Sequence, residues 1–114
     1  MSWVQEFADE HIAAFNSAVA SRDFASFLAR FDDDALMRFE NMPGVGVLEF
    51  AGRMAYTSAY EQQPPDDQIE ITGTVRDEGG MVVIPFTWRR DGSLGVLRLT
   101  VRNRRISNMV VTFA

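Results

Sequence analysis

Apolar residues recur every three or four positions at the start of the chain and every second position at its end. Val4, Ala8, His11, Phe15, Ala18 and Val19 make one stripe at helical spacing, which predicts a helix over residues 3–20. Asp23 can cap the free amides of a second, short helix whose buried face is Phe24, Phe27, Leu28 and Phe31. Asp32-Asp33-Asp34 is expected to end that helix and begin a turn. Residues 35–40 read as a short strand. Met37 and Phe39 share one of its faces, and Leu36, Arg38 and Glu40 share the other. Pro43-Gly44-Val45-Gly46 signals a loop. Residues 51–62 read as a third helix, with Met54, Ala55, Ala59 and either Tyr56 or Tyr60 turned inward. Pro64-Pro65 stops it, because proline cannot continue the hydrogen-bond ladder and restricts the residue before it.

From Gln68 onward the period is two. Residues 69–75, 81–90, 94–101 and 106–113 read as strands, separated by Asp77-Glu78-Gly79-Gly80, Asp91-Gly92-Ser93 and Asn103-Arg104-Arg105. Connections that short make them consecutive antiparallel hairpins. Pro85 removes a ladder donor within the second of these strands, so a bulge or an edge is expected there. One face of the meander is apolar, through Val82, Ile84, Phe86, Trp88, Leu97, Leu99 and Val101. The other carries Glu70, Thr72, Thr74, Thr87, Arg89, Arg98, Thr100 and Arg102. Helices first and a long meander last predict a single α+β domain, with three helices packed on a curved antiparallel sheet.

Composition narrows the chemistry. The chain has 114 residues, 46% of them hydrophobic, enough for one buried core. It has no cysteine, so disulfides and thiolate metal sites are excluded. All eleven basic residues are arginine, which excludes Schiff-base chemistry on a lysine. The beginning, Met1-Ser2-Trp3-Val4-Gln5-Glu6, has neither a basic leader nor a long apolar run, so a cytoplasmic protein is expected. The net charge of −5 disfavours nucleic acid and anionic membrane as partners. The charge is uneven. Residues 1–80 carry five Arg against fifteen acids, and residues 81–114 carry six Arg against one acid. That split suits complementarity within or between subunits, with an anion-binding face as the alternative.

Three stretches carry a resemblance. Ser21-Arg22-Asp23-Phe24, running on to Leu28-Ala29-Arg30-Phe31-Asp32-Asp33-Asp34-Ala35, is the first. Gly52-Arg53-Met54-Ala55-Tyr56-Thr57-Ser58-Ala59-Tyr60 is the second, and the terminal Ile106–Phe113 stretch is the third. In this order and spacing the chain resembles the nuclear transport factor 2-like superfamily, and within it the SnoaL-like and ketosteroid-isomerase-like branch. The resemblance spans nearly the whole chain. It implies a cone-shaped domain with an apolar pocket between helices and sheet, and frequent homodimers. It does not imply one activity, since members include isomerases, cyclases, dehydratases and non-catalytic binding modules.

Ketosteroid isomerase works with a carboxylate base and two oxyanion donors, a Tyr and a protonated Asp. On this chain the donor tyrosine of the first helix falls at Phe15. The base falls at or beside Phe39, and the donor aspartate falls near Leu97. The supporting tyrosine is present as Tyr60. That constellation is therefore mostly missing.

The remaining candidates for proton transfer are Glu40, His11 and Tyr60. His11 is the only histidine and has a suitable ordinary pKa; the other reading is a buried histidine bonded to a core partner. Glu40 could act as a base if a bulge turned it inward; otherwise it pairs with Arg38. Phe15, Phe39, Tyr56, Phe86, Trp88 and Leu97 are expected to line the pocket, and Trp3 either closes its mouth or simply packs. No metal site is expected at Asp32-Asp33-Asp34, and no cofactor motif is present. Two functions compete: cofactor-free acid–base chemistry on a small apolar molecule, or a non-catalytic binding or assembly module. The expected partners are that small molecule and a second copy of the chain, joined through the outer face of the sheet.

Overall fold

The computed structural model describes residues 2–114. Helix α1 spans Trp3–Ser21, α2 Ala25–Leu28 and α3 Arg53–Gln62. The strands are β1 Phe31–Met42, β2 Gly46–Ala51, β3 Ile69–Ile71, β4 Arg76–Asp77, β5 Met81–Trp88, β6 Leu94–Arg102 and β7 Arg105–Phe113. They form one curved sheet in the order β2-β1-β7-β6-β5-β3, with β4 also pairing β5.

Local chemistry sets the helix ends. The Ser2 hydroxyl accepts a hydrogen bond from the Gln5 amide at the start of α1, and the helix stops where Arg22 turns left-handed at φ 63°. The Asp23 carboxylate accepts from the Ala25 amide at 3.0 Å and starts α2.

The sheet is mixed and not purely antiparallel, because β1 and β7 run parallel. They can do so because most of the chain, including α3 and five strands, lies between them as a crossover. This pairing also explains the acidic triplet, which lies inside β1 and ends no helix. Phe31 pairs with Ile106, and the next recorded pair is Leu36 with Asn108, so β1 advances five residues while β7 advances two. The surplus residues bulge out of the ladder. Two of the acids meet arginines there, Asp32 with Arg105 at 3.0 Å and Asp33 with Arg53 at 2.7 Å.

Strand β2 was not expected, and it displaces the start of the third helix from residue 51 to Arg53. Residues 72–75 leave the sheet instead of extending β3. They pass opposite Pro85, whose carbonyl accepts from the Thr72 amide at 3.0 Å. The missing donor of Pro85 thus faces the interrupted edge, where it is tolerated.

The concave face packs against α1. Val4, Ala8, Ile12, Phe15 and Ala18 meet Val82, Ile84, Phe86, Leu97, Leu99, Met109 and Val111 in one core. Asn16 ties α1 to β3. Its side-chain amide donates to the Ile69 carbonyl and accepts from the Ile69 amide, both at 2.9 Å. Gly95 is the one place in β6 where a side chain cannot fit. A Cβ there would lie 2.5 Å from the Phe86 ring, so the glycine lets that ring lie flat on the sheet. Among the described residues no helix is long and apolar enough to cross a membrane.

The outer face is less polar than its sequence implied. One row across it reads Glu49, Arg38, Val110, Arg98, Val83, Arg76. Val83 is buried, although it stands outside the main core.

Candidate functional site

Between α1 and the concave face lies a chamber of about 50 Å³. It is lined by His11, Phe15, Phe27, Phe39, Tyr60, Pro65, Ile69, Phe86, Trp88, Leu97, Met109, Val111 and Phe113. The expected residues Phe15, Phe39, Tyr60, Phe86, Trp88, Leu97 and His11 are all present. A second, wider groove of about 300 Å³ lies at the end of the sheet where β1 and β2 join. It adds Met42, Leu48, Phe50, Ala59, Gln63, Pro64 and Asp66 to five residues that line both spaces. Those five are Phe39, Tyr60, Pro65, Trp88 and Phe113. They form the partition between chamber and groove. Within it Trp88 stacks on Phe113 at 5.9 Å, with the ring planes 10° apart.

Two of the expected site residues stand elsewhere. Glu40 is on the outer face. It accepts from Arg38 Nε at 2.7 Å and from the Thr112 hydroxyl at 3.1 Å. These two hydrogen bonds, Arg38's first, hold its carboxyl below the usual carboxylate range. The bulge that could have turned it inward does exist, between Phe39 and Met42, but only on the β2 side. Against β7 the register continues unbroken from Leu36 to Glu40, so alternation keeps Glu40 outside. Tyr56 is fully buried but lines neither space. It shares a helix face with Tyr60, but four residues away along the axis, a displacement of about 6 Å. Its hydroxyl donates to the Asp32 carbonyl at 3.1 Å, and its ring takes the Arg53 guanidinium at 5.4 Å. Trp3 is half exposed and leans edge-on against Phe7.

His11 is 1% exposed and, among the described residues, is the one charged or polar residue that is buried. Its ring packs on Phe27 at 5.2 Å and Phe31 at 6.2 Å. The expected core hydrogen-bond partner is absent at Nδ1, which is buried and unbonded. Burial first, and the nearby Arg30 charge second, lower its pKa to about 3. At neutral pH His11 is therefore an uncharged imidazole. Arg30 lies over the Phe7 ring at 5.0 Å, with its own Nε and Nη2 buried and unbonded. Burial alone raises the pKa of Tyr60, so its phenol also stays neutral. The chamber's two titratable side chains, His11 and Tyr60, are thus both neutral, and its lining has no carboxylate and no cation.

Sequence reasoning did not single out Phe27, Pro65, Ile69, Met109, Val111 or Phe113 for the lining. The signals were present. Phe27 lies on the inward stripe of the second helix, and Met109, Val111 and Phe113 alternate along one face of the last strand.

No family model and no curated protein matches the sequence. Solved structures do match. A nuclear transport factor 2-like protein of unknown function from Burkholderia xenovorans is 22% identical at a TM-score of 0.69, over 99% of this chain and 87% of that one. A candidate isomerase of the SnoaL-like family from Agrobacterium tumefaciens is 17% identical at 0.72, over 100% and 99%. A protein from a study of de novo design with diverse pocket structures is 14% identical at 0.73, over 99% and 100%. A designed chain on this fold shows how little the fold dictates an activity. At these identities the likeness establishes architecture, and the chain has the nuclear transport factor 2-like fold shared by SnoaL-like and ketosteroid-isomerase-like proteins.

Proposed function

We propose that the protein binds an uncharged, largely apolar small molecule, inner end in the chamber and body in the groove. One observation carries this reading. Two apolar spaces share a five-residue partition, and the lining of the inner one has no charged side chain. The chamber alone is far below the roughly 300–1,000 Å³ of ordinary ligand pockets, whereas chamber and groove together reach the lower end of that range. A ligand must therefore part the Trp88–Phe113 stack. Native mass spectrometry of protein purified from its source should show a neutral adduct that is released on denaturation. Protein that carries no adduct and binds no member of a panel of neutral aromatic compounds would refute the reading.

A second reading is acid–base chemistry of the isomerase type, the activity for which the Agrobacterium protein is a candidate. The presence of both His11 and Tyr60 at the chamber supports it. The outward Glu40 counts against it, because the chamber then lacks a carboxylate base.

We also propose that two copies pair through the outer face of the sheet. Arg38 is already engaged by Glu40 and Glu49 of its own chain, whereas Arg98 reaches only Thr112, at 3.5 Å. Val96 and Val110 run between these charges on the same face, whereas Val83 is already buried by its own chain. Light scattering at tens of micromolar should find a dimer in low salt that weakens near 1 M, where screening falls to about 3 Å. A monomer in low salt would remove the proposal. A dimer indifferent to salt would assign the contact to the valines.

A further inference from the structure

One of the chamber's lining residues has a polar atom with no partner among the described residues. His11 lines the chamber, is 1% exposed, and has Nδ1 buried without a partner. It is absent from the groove, so it lies on the far side of the Trp88–Phe113 partition. An unbonded buried nitrogen is costly, and native proteins rarely keep one without a use.

The chemistry of the ring and its surroundings selects the partner. A neutral imidazole has one N–H and one lone pair. A hydroxyl both donates and accepts, so it can bond to whichever nitrogen it meets. A ketone or ether oxygen only accepts, and would satisfy one tautomer alone. An ammonium would be repelled by Arg30, whose charge already acts on His11. A carboxylate would be drawn by Arg30 but would lie in a chamber whose own lining has no charged side chain. We infer that the inner chamber is a hydroxyl-recognition subsite, in which the imidazole of His11 bonds the single neutral hydroxyl of an otherwise apolar ring. The inference rests on the binding reading above and specifies which molecules that site takes.

Phenol and toluene test it, because they differ only in a hydroxyl against a methyl of similar size. Toluene is the more apolar, so a purely hydrophobic chamber binds it more tightly. Titration calorimetry on the wild-type protein should show the opposite order, with phenol about 10-fold tighter, as one well-made buried hydrogen bond allows. Phenol, and not toluene, should shift the imidazole ¹⁵N resonances of His11, a readout that needs no variant. In His11→Leu the preference for phenol over toluene should vanish or reverse, because Leu is apolar and close in size. The thermal midpoint of His11→Leu should rise, since the change removes an unbonded buried nitrogen.

Toluene binding as tightly as phenol to the wild type would overturn the subsite and leave the binding reading standing. A phenol preference that survives in His11→Leu would also overturn it. Binding of neither probe would defeat both readings together.

Discussion

Acidification from pH 6.5 to pH 4.5 should lower the folding free energy by about 2–3 kcal/mol through His11 alone. In the folded protein burial pushes the His11 pKa down to about 3, from an ordinary value of 6.5. Above pH 6.5 both states hold a neutral imidazole, and this side chain gives stability no pH dependence. Below 6.5 the unfolded chain binds a proton that the folded chain refuses, which costs about 1.4 kcal/mol per pH unit. The loss continues down to the folded value, for a total on the order of 5 kcal/mol. His11 is the only histidine, so the upper part of this window belongs to it. Nearer pH 4, Glu40 and Asp91 add to the loss, because both carboxyl groups are lowered by hydrogen bonds in the folded state. Urea unfolding at half-unit pH steps measures the slope. His11→Leu should flatten it between pH 6.5 and 4.5, and a wild-type slope near zero there would show that the imidazole reaches solvent or a partner.

The same residue shows where sequence reasoning stops. Its place on the apolar stripe of the first helix was legible, because 3.6-residue periodicity fixes which face a helical residue presents. Its lack of a hydrogen-bond partner was not, because that depends on which side chains four separate elements bring near it. Glu40 shows the reverse. Alternation already placed it with Arg38 and away from Phe39, and the structure keeps that pairing at 2.7 Å. The doubt came from a possible bulge, and a bulge does occur, but on the neighbour that does not set Glu40's facing.

The meander was legible because its turns contain residues that turns require. Asn103 and Arg104 sit at φ 53° and 63°, and Gly92 at 72°. The parallel β1–β7 pair was hidden, since no local pattern announces a partner some seventy residues away. The acidic triplet was misplaced for the same reason. Three consecutive acids suit a turn, and only the long-range ladder makes them a bulge answered by Arg53 and Arg105. Tyr56 was placed on the right face but at the wrong height, because face and height along an axis are separate coordinates and periodicity supplies only the first.

Phe27→Ala should be the most damaging single truncation, with a loss of about 3–5 kcal/mol. Phe27 is 2% exposed and sits at the centre of the aromatic cluster. Its ring lies 5.2 Å from His11, 5.6 Å from Phe15, 6.3 Å from Phe24, 5.4 Å from Phe31 and 6.0 Å from Tyr60. Removing it therefore breaks five edge or tilted ring contacts as well as the burial of one large side chain. The neighbours cannot close the gap easily, because they come from α1, the N-cap of α2, β1 and α3 and are fixed by their own surroundings. The void would open into the existing chamber, which Phe27 lines. That continuity gives the variant a second signature, since an enlarged dry cavity takes up small apolar molecules. Benzene at saturating concentration should raise the denaturation midpoint of Phe27→Ala more than that of the wild type, as binding to the folded state alone requires. Trp3→Ala is the contrasting change. Trp3 is 47% exposed and leans on Phe7 alone among the aromatic rings, so its truncation should cost below about 1 kcal/mol. Equal losses in the two variants would mean that the cluster around Phe27 is loosely packed and the chamber beside it is not a defined cavity.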